Sequence, residues 1–80
     1  MHSSLPTFAI IDKGVQEKQP LCLLMEKGNF WGMGYLPDDI TVNSIHTIKE
    51  HIEPFSDNDF IRKSVHAFAL ANPDKTIFFR

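Results

Sequence analysis

Short apolar runs broken by polar turns dominate the first half of the chain, and apolar residues at helical spacing dominate the second. Thr7-Phe8-Ala9-Ile10-Ile11 is apolar and rich in β-formers, which predicts a buried strand. Asp12-Lys13-Gly14 ends it with turn chemistry, and Gln16 to Pro20 reads as a loop. Leu21 to Met25 is the second expected strand; Pro20 suits its start, because proline lacks the N–H that an inner strand position needs. In Glu26-Lys27-Gly28-Asn29, Gly28 and Asn29 both tolerate positive φ, so a tight hairpin is expected there. The returning strand runs from Phe30 to Leu36. A period of two puts Phe30, Gly32, Gly34 and Leu36 on one face and Trp31, Met33 and Tyr35 on the other. Two glycines on one face imply the close approach of a helix or another backbone, or a bulge.

Pro37-Asp38-Asp39 is a turn. Asn43 or Ser44 is placed to cap a helix from Ile45 to Ile52, with Ile45, Ile48 and Ile52 on one face and Pro54 closing it. Ser56, three residues before Asp59, matches a capping box. The helix that follows runs to about Ala71, with Ile61, Val65, Phe68 and Ala69 as its inner stripe and Phe60 beside it. Asn72-Pro73-Asp74 stops this helix, and Thr76-Ile77-Phe78-Phe79 forms a last strand returning beside the first. The expected fold is therefore α+β: a small antiparallel sheet, β-β-β-α-α-β in sequence order, with two helices packed on one face. Residues 1–5 read as a polar tail or cloning remnant, and residues 6–80 as one domain.

Composition supports a folded domain. In 80 residues, 42% are hydrophobic and nine are aromatic, too many for a disordered segment. A chain this short buries roughly 60% of its unfolded surface, so its core has little to spare. The net charge of −2 argues against a general phosphate-binding surface. Cys22 is the single cysteine, which excludes an internal disulfide and a cysteine-rich zinc site and suits a cytoplasmic setting. The run Leu21 to Met25 is too short to cross a membrane, and Met1 to Ser4 has no signal-peptide pattern.

Candidate chemistry is sparse. Gly32-Met33-Gly34 resembles the start of a dinucleotide loop, but the third glycine of that fingerprint would fall at Pro37 and no helix opens after it. His46 and His51 are five apart and off a common helical face, and no H-E-x-x-H motif joins them to His2 or His66. Asp12, Asp38, Asp39, Asp57 and Asp59 all fall at turns or caps, where aspartate is common for backbone reasons. Ser64 and His66, two apart on a helix, point in different directions. Cys22, within an apolar strand, reads as inert core. No catalytic residue, metal ligand or cofactor is expected. Trp31, Met33 and Tyr35 form an aromatic stripe that reads as covered core or a subunit interface. Lys13, Lys27, Lys49, Arg62 and Lys63 are the candidate nucleic-acid contacts.

Three segments carry a family resemblance: Phe8-Ala9-Ile10-Ile11-Asp12-Lys13-Gly14, Lys27-Gly28-Asn29-Phe30-Trp31-Gly32-Met33-Gly34-Tyr35, and Ile52-Glu53-Pro54-Phe55 with Asn58. Together with Thr76-Ile77-Phe78-Phe79, this resembles the C-terminal domain of bacterial exonuclease proteins, chiefly from Bacteroidetes. In those proteins a 3′–5′ exonuclease similar to the DNA polymerase III epsilon chain is joined to a GIY-YIG endonuclease-like segment. The resemblance covers nearly the whole chain, from Leu5 to Arg80. It implies a non-catalytic accessory domain of a DNA replication or repair enzyme, whose nuclease residues lie upstream of this region. The expected partners are the other domains of the nuclease or a second copy, with DNA reached through the parent protein and no membrane. The resemblance also makes Gly14, Gly28, Gly32, Gly34, Pro54 and Asn58 structural positions. Family members usually carry a basic residue where this chain has Val15, and arginine where it has Asp59. A nucleic-acid-binding module that positions DNA is accordingly the second expectation.

Overall fold

The computed structural model describes residues 6–13 and 19–79. The expected tail at residues 1–5, the structural role of Gly14 and the start of the Gln16–Pro20 loop lie outside the described residues. The strands are β1 (Thr7–Asp12), β2 (Leu21–Glu26), β3 (Asn29–Tyr35), β4 (Glu53–Pro54) and β5 (Thr76–Phe79). Helix α1 (Ile45–Lys49) precedes β4, helix α2 (Asp59–Ala71) follows it, and a 3₁₀ turn at Pro73–Lys75 leads into β5. The five strands form one antiparallel sheet in the order β4-β3-β2-β1-β5. The α+β class holds, and the last strand lies beside the first, pairing Phe78 with Phe8 and Ile77 with Ala9.

Several expectations need correction. The sequence order is β-β-β-α-β-α-β, because Pro54 does not merely close a helix. It sits in a two-residue edge strand opposite Gly32, where its missing N–H costs no ladder bond. Next to it, the Phe55 N–H donates to the Trp31 carbonyl at 3.1 Å. Helix α1 ends at Lys49, not Ile52. Its N-cap is Ser44, whose Oγ accepts from the Thr47 N–H at 3.3 Å, and the chain then turns so that the His51 and Ile52 N–H groups both donate to the Ile48 carbonyl.

The two helices also lie on opposite faces of the sheet. Phe8, Ile10, Met25 and Phe30 pack with Val65 and Ala69 of α2. Ala9, Cys22, Leu24 and Leu36 pack with Ile48 of α1 and with Ile52. The physical reason lies in the strands. Phe8, Ala9 and Ile10 are consecutive and all buried, so both faces need a cover and one layer of helices cannot supply it.

A β-bulge shifts the register between β2 and β3. Leu24 pairs with Gly32 and Met25 with Phe30, which leaves Trp31 without a partner. The alternation slips there: Phe30 joins the α2 side and Trp31 joins the α1 side. The glycines do mark a close approach. A Cβ on Gly32 would collide with the Glu53 carbonyl and stand 2.9 Å from the Pro54 Cα, and one on Gly34 would stand 3.0 Å from the Ile52 Cα.

The hairpin is present, with positive φ at Lys27 (52°) and Gly28 (84°), so Asn29 already belongs to β3. Its tip is tied to the start of β1, since the Lys27 N–H donates to Thr7 Oγ1 at 3.1 Å and the Gly28 N–H to the Pro6 carbonyl at 3.3 Å. The N-cap of α2 is Asn58, whose Oδ1 accepts from the Ile61 N–H at 2.9 Å; the expected Ser56–Asp59 capping box does not form, because Asp59 is the first helical residue.

Candidate interaction surface

The expected aromatic stripe is not one surface. Trp31 is half-buried on the α1 face, with the Lys49 ammonium 5.0 Å from its ring centroid. Lys49 is held there by Glu26, Nζ to Oε1 at 2.8 Å, so the chain covers Trp31 with its own cation. Met33 lies across the sheet, half-buried against the α2 core. Tyr35, opposite Leu21 at the end of β3, is exposed.

The five candidate nucleic-acid contacts are also divided. Lys49 is spent on Glu26 and Trp31. Arg62 is paired with Asp59 and with Asp57 (2.6 Å to the latter); the hydrogen bond it donates to Asp59 leads in raising its pKa, with the charges of both carboxylates adding to it. Asp57 also accepts from the Phe30 N–H at 3.0 Å, so it clamps the start of β3 to α2. Lys13, Lys27 and Lys63 are exposed and make no ion pair among the described residues. Lys63 flanks a shallow groove of about 320 Å³ over Phe8 and Met25, and Gly28 of the hairpin forms another part of its wall.

The remaining titratable groups have structural partners or stand apart. Asp12 takes a salt bridge from Lys75 at 2.9 Å, and this hydrogen bond and charge raise the lysine pKa. His66 lies edge-on to Phe8, with ring centroids 6.3 Å apart. Ser64 lines a groove on the other flank of α2, so it and His66 do not meet. Cys22 is fully buried, and burial pushes its thiol up to about 12. Among the described residues, no three His, Cys, Asp or Glu side chains are grouped so as to hold a metal ion. No described helix is long and apolar enough to cross a membrane.

No family model, curated protein or solved structure matches this chain.

What the surface does present is large apolar side chains. Phe60 is 78% exposed, Leu70 72% and Phe78 66%. On α2, Phe60, Ser64, Ala67, Phe68 and Ala71 recur at helical spacing and are all exposed, flanking the buried Val65 and Ala69; Phe68, expected in the inner stripe, is 39% exposed because it stands at the rim of the contact between α2 and the sheet. Beside Phe68, a groove of about 270 Å³ opens over Ile10, Leu21 and Leu23. Sequence reasoning placed Phe60 beside the inner stripe and passed over Leu70. Counting 100° per residue around α2 puts both residues outside the arc of Ile61, Val65 and Ala69, and that signal was available.

Proposed function

We propose that this chain is a non-catalytic accessory domain that acts by packing against protein, the partner being the other domains of a nuclease of the kind it resembles. The supporting observation is the set of apolar side chains that α2 leaves exposed. A solvated helix normally carries charge on its outer face, and scattered single apolar residues need no explanation. Here Phe60, Phe68 and Leu70 are exposed on α2 along with Ala67 and Ala71. Several large apolar side chains exposed on one helix support a surface that packs against another protein. The nucleic-acid reading is weaker, because carboxylates already neutralise Lys49 and Arg62, two of its five expected contacts.

A paired measurement tests this. The isolated chain is expected to bind a hydrophobic dye such as anilinonaphthalene sulfonate, and the double variant Phe60→Lys/Leu70→Lys to lose that binding at unchanged melting temperature. Neither single-stranded nor duplex DNA should bind at low salt, where phosphate-driven affinity is strongest. DNA binding that weakens steeply with added salt would overturn the packing reading in favour of a nucleic-acid module.

A further inference from the structure

The groove over Phe8 and Met25 combines an apolar floor with polar groups of one sign. Gly28 of the hairpin forms part of its wall, and every polar side chain lining it is basic: Arg62, Lys63 and His66, all from α2. No carboxylate among the described residues lines it, although the whole chain carries a net charge of −2. Arg62 is already balanced by Asp57 and Asp59, so the groups free to bind are Lys63 and His66. Both are exposed, and three residues apart on a helix they are side-by-side neighbours. The His66 ring stands edge-on to Phe8, beside the floor. Lys27, next to Gly28, makes no ion pair among the described residues and adds positive charge at the hairpin end.

We propose that this groove takes an acidic segment of a partner protein, with one large apolar side chain over Phe8 and Met25 and an adjacent carboxylate between Lys63 and His66. This rests on the protein-packing reading and specifies the partner's chemistry. Complementary charge at a contact selects the partner more than it adds affinity, and here the selected sign is negative. Nucleic acid fits the groove less well. Phe8 is only 2% exposed, which leaves no ring face for a base to stack on, and Lys63 is the one cation of the wall without a carboxylate, whereas phosphate-driven binding sums several. A free small molecule also fits less well, because the polar groups all stand on one side of a shallow space. A second copy is a poor source for the segment. Among the exposed large apolar residues, only Phe60 has a carboxylate as its chain neighbour, and that residue, Asp59, is held by Arg62 of its own chain.

The test is amide chemical-shift titration of the labelled chain with three blocked tripeptides: acetyl-Asp-Phe-Asp-amide, its neutral analogue acetyl-Asn-Phe-Asn-amide, and acetyl-Lys-Phe-Lys-amide. One side chain and exposed ion pairs make a weak contact, with a dissociation constant of about 1–10 mM, so micromolar dye does not report on it. The acidic probe is expected to shift the amides of Phe8, Gly28, Lys63 and His66, and to bind roughly fivefold more tightly than the neutral probe. Lys63→Glu/His66→Glu, both exposed positions and checked by thermal melting, is expected to lose the acidic probe and gain the basic one. Lys63→Gln/His66→Gln is expected to bind all three alike. Equal binding of the acidic and neutral probes by wild type, or an acidic probe held as tightly by Lys63→Glu/His66→Glu, would overturn the proposal. So would an oligothymidine that shifts these amides at lower concentration than the acidic probe, or shifts there that grow with chain concentration alone. No groove shifts, with dye binding that Phe60→Lys/Leu70→Lys removes, would overturn the groove and leave the packing reading standing. No groove shifts and no dye binding would overturn both.

Discussion

Gly32→Ala should be among the most damaging single-methyl additions in this domain. The added Cβ would land on the Glu53 carbonyl oxygen, 2.8 Å from the Glu53 carbonyl carbon and 2.9 Å from the Pro54 Cα. All three atoms are backbone, so no rotamer change relieves the clash; β4 has to move. Moving it breaks the Gly32–Pro54 and Met33–Glu53 pairings and the hydrogen bond from the Phe55 N–H to the Trp31 carbonyl. Overpacking of this kind costs about 1–3 kcal/mol, and each lost backbone bond about 1 kcal/mol. Replacing a strand glycine recovers about 0.5–1 kcal/mol of chain entropy. The net expected loss is about 2 kcal/mol, or roughly 8–16 °C in melting temperature for a domain of this size. Gly34→Ala is the internal comparison. Its nearest neighbours are the Cα, Cβ and Cγ2 of Ile52 at 3.0, 3.2 and 3.3 Å, so a displacement of a few tenths of an ångström suffices and about 1 kcal/mol or less is expected. Thermal and urea melts followed by circular dichroism would measure both. A Gly32→Ala variant within about 0.5 kcal/mol of wild type, or less destabilised than Gly34→Ala, would refute the argument that β4 bears directly on Gly32.

Two further outcomes are expected. Burial raises the Cys22 thiol from 9.0 to about 12, so stability is intact below pH 9 and falls as pH rises toward 12, when the unfolded chain ionises and the folded chain does not. The slope approaches about 1.4 kcal/mol per pH unit. Cys22→Ala should lose this component while keeping any part due to Lys75, and urea melts at pH 8 and pH 10 showing the same loss in both proteins would count against it. Asn58→Ala should cost about 1 kcal/mol through loss of the cap on the Ile61 N–H, whereas Ser56→Ala should be close to neutral. A larger effect at Ser56 in chemical denaturation would place the cap two residues earlier.

Much of the fold was legible because local chemistry determined it. Gly28 announces the hairpin, Asn72-Pro73 stops α2, and the β-branched and aromatic run Thr76–Phe79 announces β5. The placement of α1 was legible in principle. Phe8-Ala9-Ile10 and Leu24-Met25 are continuous apolar runs and not alternating ones, and continuous runs demand cover on both faces. Strand β4 carried almost no local signal. Two residues, one of them proline, do not look like a strand, and they become one only because Gly32 leaves room for the backbone of Glu53 to approach.

The candidate site was less legible for a different reason. Period counting assumes that every residue of a strand has a partner, and Trp31 has none. That one slip moves Trp31 to the other face and dissolves the expected stripe with Met33 and Tyr35. The fate of the cations was hidden by distance along the chain. Lys49 reaches Glu26 across 23 positions, and Lys75 reaches Asp12 across 63. Arg62 meets Asp57 and Asp59 close by in sequence, but the same Asp57 also holds the Phe30 N–H across 27 positions, so that carboxylate is fixed for reasons of fold. Each pair takes a basic side chain out of the pool available for phosphate contact. Phe60 and Leu70, by contrast, have no such claim made on them by the core. Lys49, Arg62 and Lys75 are spent on holding the fold together while Lys13, Lys27 and Lys63 stay exposed, and it is the contrast between those three engaged cations and the large apolar side chains left in water that supports the proposed protein-packing role.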